Sequence, residues 1–425
     1  MGVVQQFPKD RRGRPPDTLP PMSYVTHLEA AIDGTILPHD RLQTTHEGRP
    51  LWVRYDLEAV AAAVRRDDLL VRAPTMWRYG ELLPVESAAN VVSLGEGMSP
   101  LLRADRLGAT LGLENLWIKD ESQLPTGSFK SRGLAMAVSR AKELGVDRLA
   151  IPTAGNAGGA LAAYAARAAM EAWIFMPADT PEVNQAEAAY YGAKVFLVDG
   201  LITDCGAVVR QGAPHMGWFD VSTLKEPYRI EGKKTMGLEL AEQFAWELPE
   251  VILYPTGGGT GLIGMWKAFA ELGAVGWLET DSRPRMISCQ AAGCAPIATA
   301  FAAGSRFAEP FPNATTAASG LRVPAAVGDF MILDAVRESG GQARAADEER
   351  LLWWAQRASA LEGISICPET GACLGVLEQL VAEGAVGRNE RVVVFNTGAA
   401  QKYLEVIRTE IPFLSQPVDW EALAQ

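Results

Sequence analysis

Short apolar runs alternate with longer helix-patterned stretches over most of this chain. That alternation limits the fold more than any other feature. The runs are LWIKDE (116–121), RLAIPTA (148–154), AWIFMPA (172–178), KVFLVDG (194–200), VILYPTG (251–257), RMISCQA (285–291) and RVVVFNTG (391–398). They are apolar on both faces, the pattern of strands buried in a parallel sheet. Between them the periodicity predicts helices over 129–144, 157–170, 181–191, 233–244, 261–272, 347–361 and 370–383. Gly145 and Gly192 stand where helix C-termini call for a left-handed residue. Parallel strands need crossovers, so the expectation is an α/β fold with helices covering mostly parallel sheets.

The chain has 425 residues, 48% of them hydrophobic, enough for a large core in more than one domain. Lys plus Arg is 39 against 51 Asp plus Glu, a net charge of −12, and no long basic block occurs. Binding to nucleic acid or to an anionic membrane surface through bulk charge is therefore not expected. No run approaches the roughly 20 apolar residues of a membrane span. The five cysteines are odd in number and none forms a C-x-x-C pair, and there are only four histidines. This argues against a disulfide framework and a metal site, and for a reducing, cytoplasmic setting. The N-terminus has no signal-peptide core, and Gln6 stands where myristoylation favours Ser or Thr. Residues 1–22, rich in Pro, Arg and Asp, are expected to be an arm, and 23–60 a small appendage ending in LWVRYDLEAV.

Chemistry-bearing residues cluster at the strand–helix junctions. In PTGSFKSRG, Lys130 follows a Thr-Gly-Ser turn at the start of a helix, with Ser128 as expected N-cap. The dipole there disfavours a cation, and burial lowers an amine's pKa further, exposing a nucleophile. Alone, the segment reads more readily as a surface lysine on a capped helix. In PTAGNAGG, small residues around Asn156 let a flat ligand or a carboxylate approach the backbone, although a plain tight turn reads the same way. In YPTGGGTG, Gly257, Gly258, Gly259, Thr260 and Gly261 offer flexible N–H donors at a helix start, a phosphate cradle. The spacing is neither that of a Walker A loop nor that of a Rossmann fingerprint, which disfavours a nicotinamide dehydrogenase. In VVVFNTG, Thr397 closes a strand where parallel sheets present ligand-facing groups. An amine, a phosphate cradle, an amide and a strand-end hydroxyl together suit pyridoxal phosphate.

With these motifs the chain resembles the fold-type II pyridoxal-phosphate-dependent enzymes, which are two-lobed and tryptophan synthase β-like, and within them the threonine synthase family. SLGEGMSPL (93–101), GSFKSRG, TAGNAGG, EPYRIEGKKT (226–235), GGGTG and QAAGCAP (290–296) carry the resemblance, from about Tyr24 to Tyr403. It implies a carbon–oxygen lyase that turns O-phospho-L-homoserine and water into L-threonine and phosphate. Lys130 would hold the cofactor as an aldimine and shuttle protons, with Phe129 beside the cofactor and Asn156 on its ring oxygen. Gly257–Gly261 would bind its phosphate and Thr397 would face its pyridine nitrogen. Thr153, Ala154, Gly155 and Ala157, with Ser128, would meet the substrate, and the backbone of 154–157 would hold its carboxylate. Arg229, helped by Ser222 or Thr223, would bind the substrate phosphate.

The sequence departs from the family pattern in places. Ser131 replaces the usual Asp or Ala after the lysine, Ala157 and Gly158 lack the hydroxyls of well-known members, and the last motif reads TGAAQK. These changes surround the substrate pocket. They keep open a β-elimination or β-replacement enzyme acting on serine, threonine or phosphoserine. A silent binding protein on the same scaffold is the third alternative, against which the retained Lys130 argues. The expected division is 1–84 as arm and appendage, 130–240 as a smaller mobile lobe, and 85–129 with 241–425 as the larger cofactor-binding lobe. A homodimer is expected.

Overall fold

The structure is a computed structural model and describes residues 22–407, 411–418 and 420–423. The expected arm therefore lies, but for Met22, outside the described residues. The appendage is a small antiparallel sheet of β1 (Val25–Ala30), β2 (Ile36–Leu37) and β3 (Leu51–Tyr55), in the order β2-β1-β3. The chain then enters a larger sheet with β4 (Leu101–Arg103) and β5 (Leu116–Asp120). It leaves to build a second sheet from β6 (Arg148–Pro152), β7 (Glu171–Pro177), β8 (Lys194–Val198) and β9 (Phe219–Asp220). It returns with β10 (Val251–Pro255), β11 (Arg285–Ala291), β12 (Gln342–Ala346) and β13 (Val392–Asn396).

The larger sheet runs β12-β11-β10-β13-β5-β4 and is parallel except for the β4–β5 pair. The smaller one runs β8-β7-β6-β9 and is wholly parallel. Every long run predicted as a strand is one. Burial on both faces holds for β10 and β13 but fails for β8, where Phe196 and Leu197 are exposed. That strand closes the sheet on its open side, so it has no neighbour to cover it. The sequence reading missed β12 and β9, the first because QARAA is too small and polar to stand out.

The helices fall where the periodicity put them, with two corrections. The helix expected from 233 begins at Tyr228, because the Glu226 carboxylate accepts from the backbone N–H groups of Tyr228 and Arg229 and caps it there. The second is that the long helices Ile202–Met216 and Asp329–Glu338 have no counterpart among the predicted stretches. Gly145 and Gly192 take φ of +75° and +84°, as helix ends require.

Two buried ionic networks lock the layers. Arg132, wholly buried, bonds Glu121 through Nε at 2.6 Å and Glu239 through Nη1 at 2.9 Å, and Lys119 pairs with the same Glu239. This ties the Lys130–Glu143 helix to the Tyr228–Gln243 helix and to the end of β5. In the second, Glu231 forms an ion pair with Lys234 at 2.6 Å and accepts from Lys267, joining the Tyr228–Gln243 and Thr260–Ala274 helices. The helices cross closely: a Cβ on Gly264 would stand 2.8 Å from the Lys234 backbone nitrogen. Such networks add geometry more than net stability, because desolvation offsets most of the attraction.

Candidate active site

The carboxyl ends of β6, β10 and β13 open into a cavity of about 840 Å³. A crevice at this end of parallel strands is where α/β proteins hold ligands. Phe129, Lys130, Thr153, Ala154, Gly155, Asn156, Ala157, Gly257, Gly258, Gly259, Thr260, Gly261 and Thr397 all line it. Residues scattered over 270 positions of sequence are thus brought to one place. Ser128 and Arg229 do not line it.

Lys130 opens the Lys130–Glu143 helix, and Phe129, not Ser128, is its N-terminal boundary residue. Ser128 is instead extended and bridges to Gly398, with its hydroxyl buried and without a partner. The correction has a local cause. Phe129 donates its N–H to the Thr397 carbonyl at 3.0 Å, so the segment before the helix pairs with the end of β13. The turn before it is strained, with Thr126 at φ +62°. The Ser131 hydroxyl steadies that turn by donating to the Pro125 carbonyl, a tie that accounts for a serine after the lysine.

The Lys130 Nζ lies 4.3 Å from the Phe129 ring centroid, and the Lys233 Nζ lies 4.2 Å from the same centroid. Burial first, then the Arg229 charge, lowers the Lys130 amine to about 7, while Glu369 opposes the shift. Lys233 is held well below the usual lysine range by burial and by Lys130 and Arg229. A neutral lysine at physiological pH is a nucleophile and a base. Phe129 stands edge-on to Tyr254, with centroids 6.0 Å apart, so the lysine rests on a fixed aromatic support.

The glycine segment is built for close approach. Gly259 has φ +73°. A Cβ on Gly257 would stand 2.5 Å from the Gly320 carbonyl, and one on Gly258 2.7 Å from the Thr223 methyl. The segment leads into the Thr260–Ala274 helix, whose N-terminal N–H groups favour an anion. Opposite, Asn156 begins the Asn156–Ala168 helix. Its Nδ2 donates to the Tyr403 hydroxyl at 3.1 Å, and its Oδ1 is buried without a partner. The Thr153 hydroxyl donates to the Gly155 carbonyl at 3.1 Å and holds the turn between them. The Thr397 hydroxyl lies 3.8 Å from the Cys367 sulfur, whose thiol burial pushes up to about 12, leaving it inert.

These features fit pyridoxal phosphate: a depressed lysine amine, a cradle with no room for side chains, an orphan amide atom and a hydroxyl that imposes no charge. The sequence reading did not find Glu369, Tyr403, Lys233 or Asp220. Glu369 and Tyr403 lie in ICPETGA and TGAAQKY, where nothing local marks them as site residues. Only the fold turns them inward. The Glu369 carboxyl accepts from the Gly320 N–H at 2.8 Å and is raised by burial. Among the described residues no group of three or more metal-ligating side chains is assembled, and no helix is long and apolar enough to cross a membrane.

Comparison with known proteins extends these observations. Residues 92–398 match the family model described as pyridoxal-phosphate dependent enzyme. The chain is 34% identical over 362 residues to a threonine synthase of Methanocaldococcus jannaschii, covering 85% of this chain and 89% of the relative. It is 35% identical over 347 residues to one of Methanosarcina acetivorans, covering 81% and 84%. In structure it resembles holo diaminopropionate ammonia lyase from Escherichia coli, with a TM-score of 0.65, 18% identity, and coverage of 75% of this chain and 90% of that one. The two-lobed architecture is that of the fold-type II enzymes. Since the family model spans most of the cavity-forming part of the sequence, and the likeness to these relatives runs over most of both chains, this chain belongs to the pyridoxal-phosphate-dependent enzymes, in their threonine synthase family.

Proposed function

We propose that the chain converts O-phospho-L-homoserine and water into L-threonine and phosphate. The observation that carries this reading is its likeness, at 34–35% identity over most of both chains, to threonine synthases. The site chemistry agrees with it. When bound, pyridoxal phosphate supplies an electron sink that acidifies carbon–hydrogen bonds of the substrate. Lys130, with its amine near 7, holds the cofactor and then takes and returns protons at the substrate's carbons, since a base works best when its pKa lies near the working pH.

The remaining groups position cofactor and substrate. Gly257–Gly261 would hold the cofactor phosphate at the helix N-terminus. Asn156 would hold the ring oxygen. The Thr397 hydroxyl would serve the ring nitrogen without fixing a charge on it, which suits elimination and replacement at the β and γ carbons. The backbone of Ala154–Ala157 would receive the substrate carboxylate, since the first N–H groups of a helix have no intrahelical partner, although the Gly155 N–H already donates to the Thr153 hydroxyl at 3.2 Å.

The lobes of the reading are 130–240 and, together, 85–129 and 241–425, with 1–84 as arm and appendage. Support comes from the separate sheets formed by β6–β9 and by the other long strands. Five free, buried cysteines support a cytoplasmic setting. Exposed Tyr190, Phe196, Leu197 and Leu201 on the smaller sheet's open side support a homodimer.

The test is a comparison of kcat/KM for O-phospho-L-homoserine, L-serine, L-threonine and O-phospho-L-serine on the cofactor-loaded enzyme. The reading requires O-phospho-L-homoserine to be the preferred substrate. A preference for serine or threonine, with ammonia released, would replace it by a β-eliminase.

A further inference from the structure

The appendage reaches the cavity, although nothing in its own small sheet requires it to. Thr44 and Thr45, in the connection between β2 and β3, line the cavity beside residues of both larger sheets. That connection is fixed at its two ends to different halves of the molecule. At the first end, Arg140 donates from Nη2 to the His39 carbonyl at 2.7 Å. Arg140 belongs to the Lys130–Glu143 helix, which shares its core with β6 and β7 of the smaller sheet. At the other end, His46 and Arg49 exchange backbone hydrogen bonds of 3.0 and 2.9 Å around Glu47 and Gly48, at φ +49° and +76°. Arg49 then donates to the Asp329 carboxylate at 3.3 Å, its guanidinium carbon 5.1 Å from the Phe307 ring centroid and 5.7 Å from that of Phe330. Asp329 and Phe330 open the helix that packs on β11 and β12 of the larger sheet.

Between these anchors the chain is nearly free of bonds. Among the described residues, the backbone of 40–45 makes no hydrogen bond, and the hydroxyls of Thr44 and Thr45 have no partner. Gln43 adds a long side-chain bond, from Nε2 to the Pro38 carbonyl at 3.5 Å. A segment with so few bonds opens at little cost, and the lids of enzymes are drawn from such segments. Its anchors belong to the two halves that enclose the cavity, so any relative movement of the halves is passed to it. A threonine hydroxyl both donates and accepts, and two of them on a cavity wall suit a polar substrate.

We infer that residues 40–45 are a strap that gates the cavity, and that Thr44 and Thr45 are the substrate-contacting residues it carries. This goes beyond the choice of substrate and holds whichever amino acid the enzyme prefers. Two measurements on the holoenzyme test it. Thr44→Val with Thr45→Val deletes both hydroxyls and keeps the shape of the wall. A hydroxyl that meets the substrate is worth about two- to tenfold in affinity. KM for the preferred one of O-phospho-L-homoserine, L-serine, L-threonine and O-phospho-L-serine should rise by that factor or more, with kcat and the cofactor absorbance band unchanged. Arg49→Met frees the strap from the larger sheet and leaves both hydroxyls in place. It should speed the reduction by borohydride of the bond between the cofactor and Lys130, a reading of access that needs no substrate. Arg49→Lys, which keeps the charge, should fall between it and the wild type.

An unchanged KM in the double-valine variant would overturn the contact. Equal reduction rates in the wild type and Arg49→Met would overturn the strap. A preference for serine or threonine, with KM still raised by the double substitution, would remove O-phospho-L-homoserine as substrate and uphold both.

Discussion

Gly261→Ala is a small change with a large expected effect. Gly261 lies in the first turn of the Thr260–Ala274 helix, beneath the Tyr254 ring. An added methyl would overlap the Tyr254 hydroxyl and ring carbon and stand 2.8 Å from the Met236 methyl. Carbon atoms pack best at about 3.5–4.0 Å, so both neighbours must give way. Tyr254 cannot do so freely. It is 1% exposed, it lies on β10 between β11 and β13, and its ring stands edge-on to Phe129 at 6.0 Å. Overpacking of this kind costs about 1–3 kcal/mol, a factor of roughly 5 to 150 in the folding equilibrium. The displacement also runs directly into the support of Lys130, so cofactor affinity should fall too. Gly273→Ala, in the exposed last turns of the same helix, is the control. Nothing lies within 4 Å of its Cβ position, and the substitution should gain up to about 1 kcal/mol from helix propensity. Urea unfolding midpoints, with cofactor titrations followed by absorbance, compare the two. Equal midpoints and equal cofactor affinities would refute the packing argument.

Four other outcomes are expected. Lys130 must be neutral to capture the cofactor, so reconstitution of the apoenzyme should accelerate as pH rises through about 7 and then level off. Stopped-flow absorbance checks this, and a rate still climbing toward the ordinary lysine pKa of 10.5 would contradict it. Arg132→Met leaves Glu121 and Glu239 buried with too little compensation, and should cost about 3–5 kcal/mol in denaturant unfolding. In the intact network Glu239 is held down to about 2 from 4.5, chiefly by Arg132 and Lys119 against burial. Its contribution, on the order of 3 kcal/mol, is present above the unfolded pKa and should be lost as pH falls from there toward 2. Tyr254→Phe removes a buried hydroxyl that has no hydrogen-bond partner, so its thermal unfolding midpoint should be unchanged or slightly raised; a clear drop would reveal a missed bond.

What the sequence made legible follows from the range of the forces involved. Strands such as VILYP and VVVFN announce themselves because burial on both faces demands an unbroken apolar run. Lys130, Asn156, Gly257–Gly261 and Thr397 were legible because each sits at a strand–helix junction, where local backbone needs and ligand chemistry coincide. Glu369 and Tyr403 were not, because nothing local distinguishes an inward carboxyl or phenol from an outward one. Ser128 was misread as a cap because the pairing of Phe129 with Thr397 is contact at long sequence distance. Arg229 illustrates the same gap. Its motif was recognised, but its burial beneath Val221 depends on how the Tyr228–Gln243 helix docks. QARAA shows that a strand built from small residues leaves no hydrophobic signal, however central its sheet.

The central claim is that this active site expels phosphate from carbon and adds water to the substrate. Incubation of the holoenzyme with O-phospho-L-homoserine in heavy-oxygen water tests it most directly, with both products analysed by mass spectrometry. The account predicts threonine and phosphate in equal amounts, with the heavy oxygen in the threonine hydroxyl and none in the phosphate. Homoserine with heavy oxygen in the phosphate, or no phosphate from a holoenzyme whose cofactor is linked to Lys130, would contradict it.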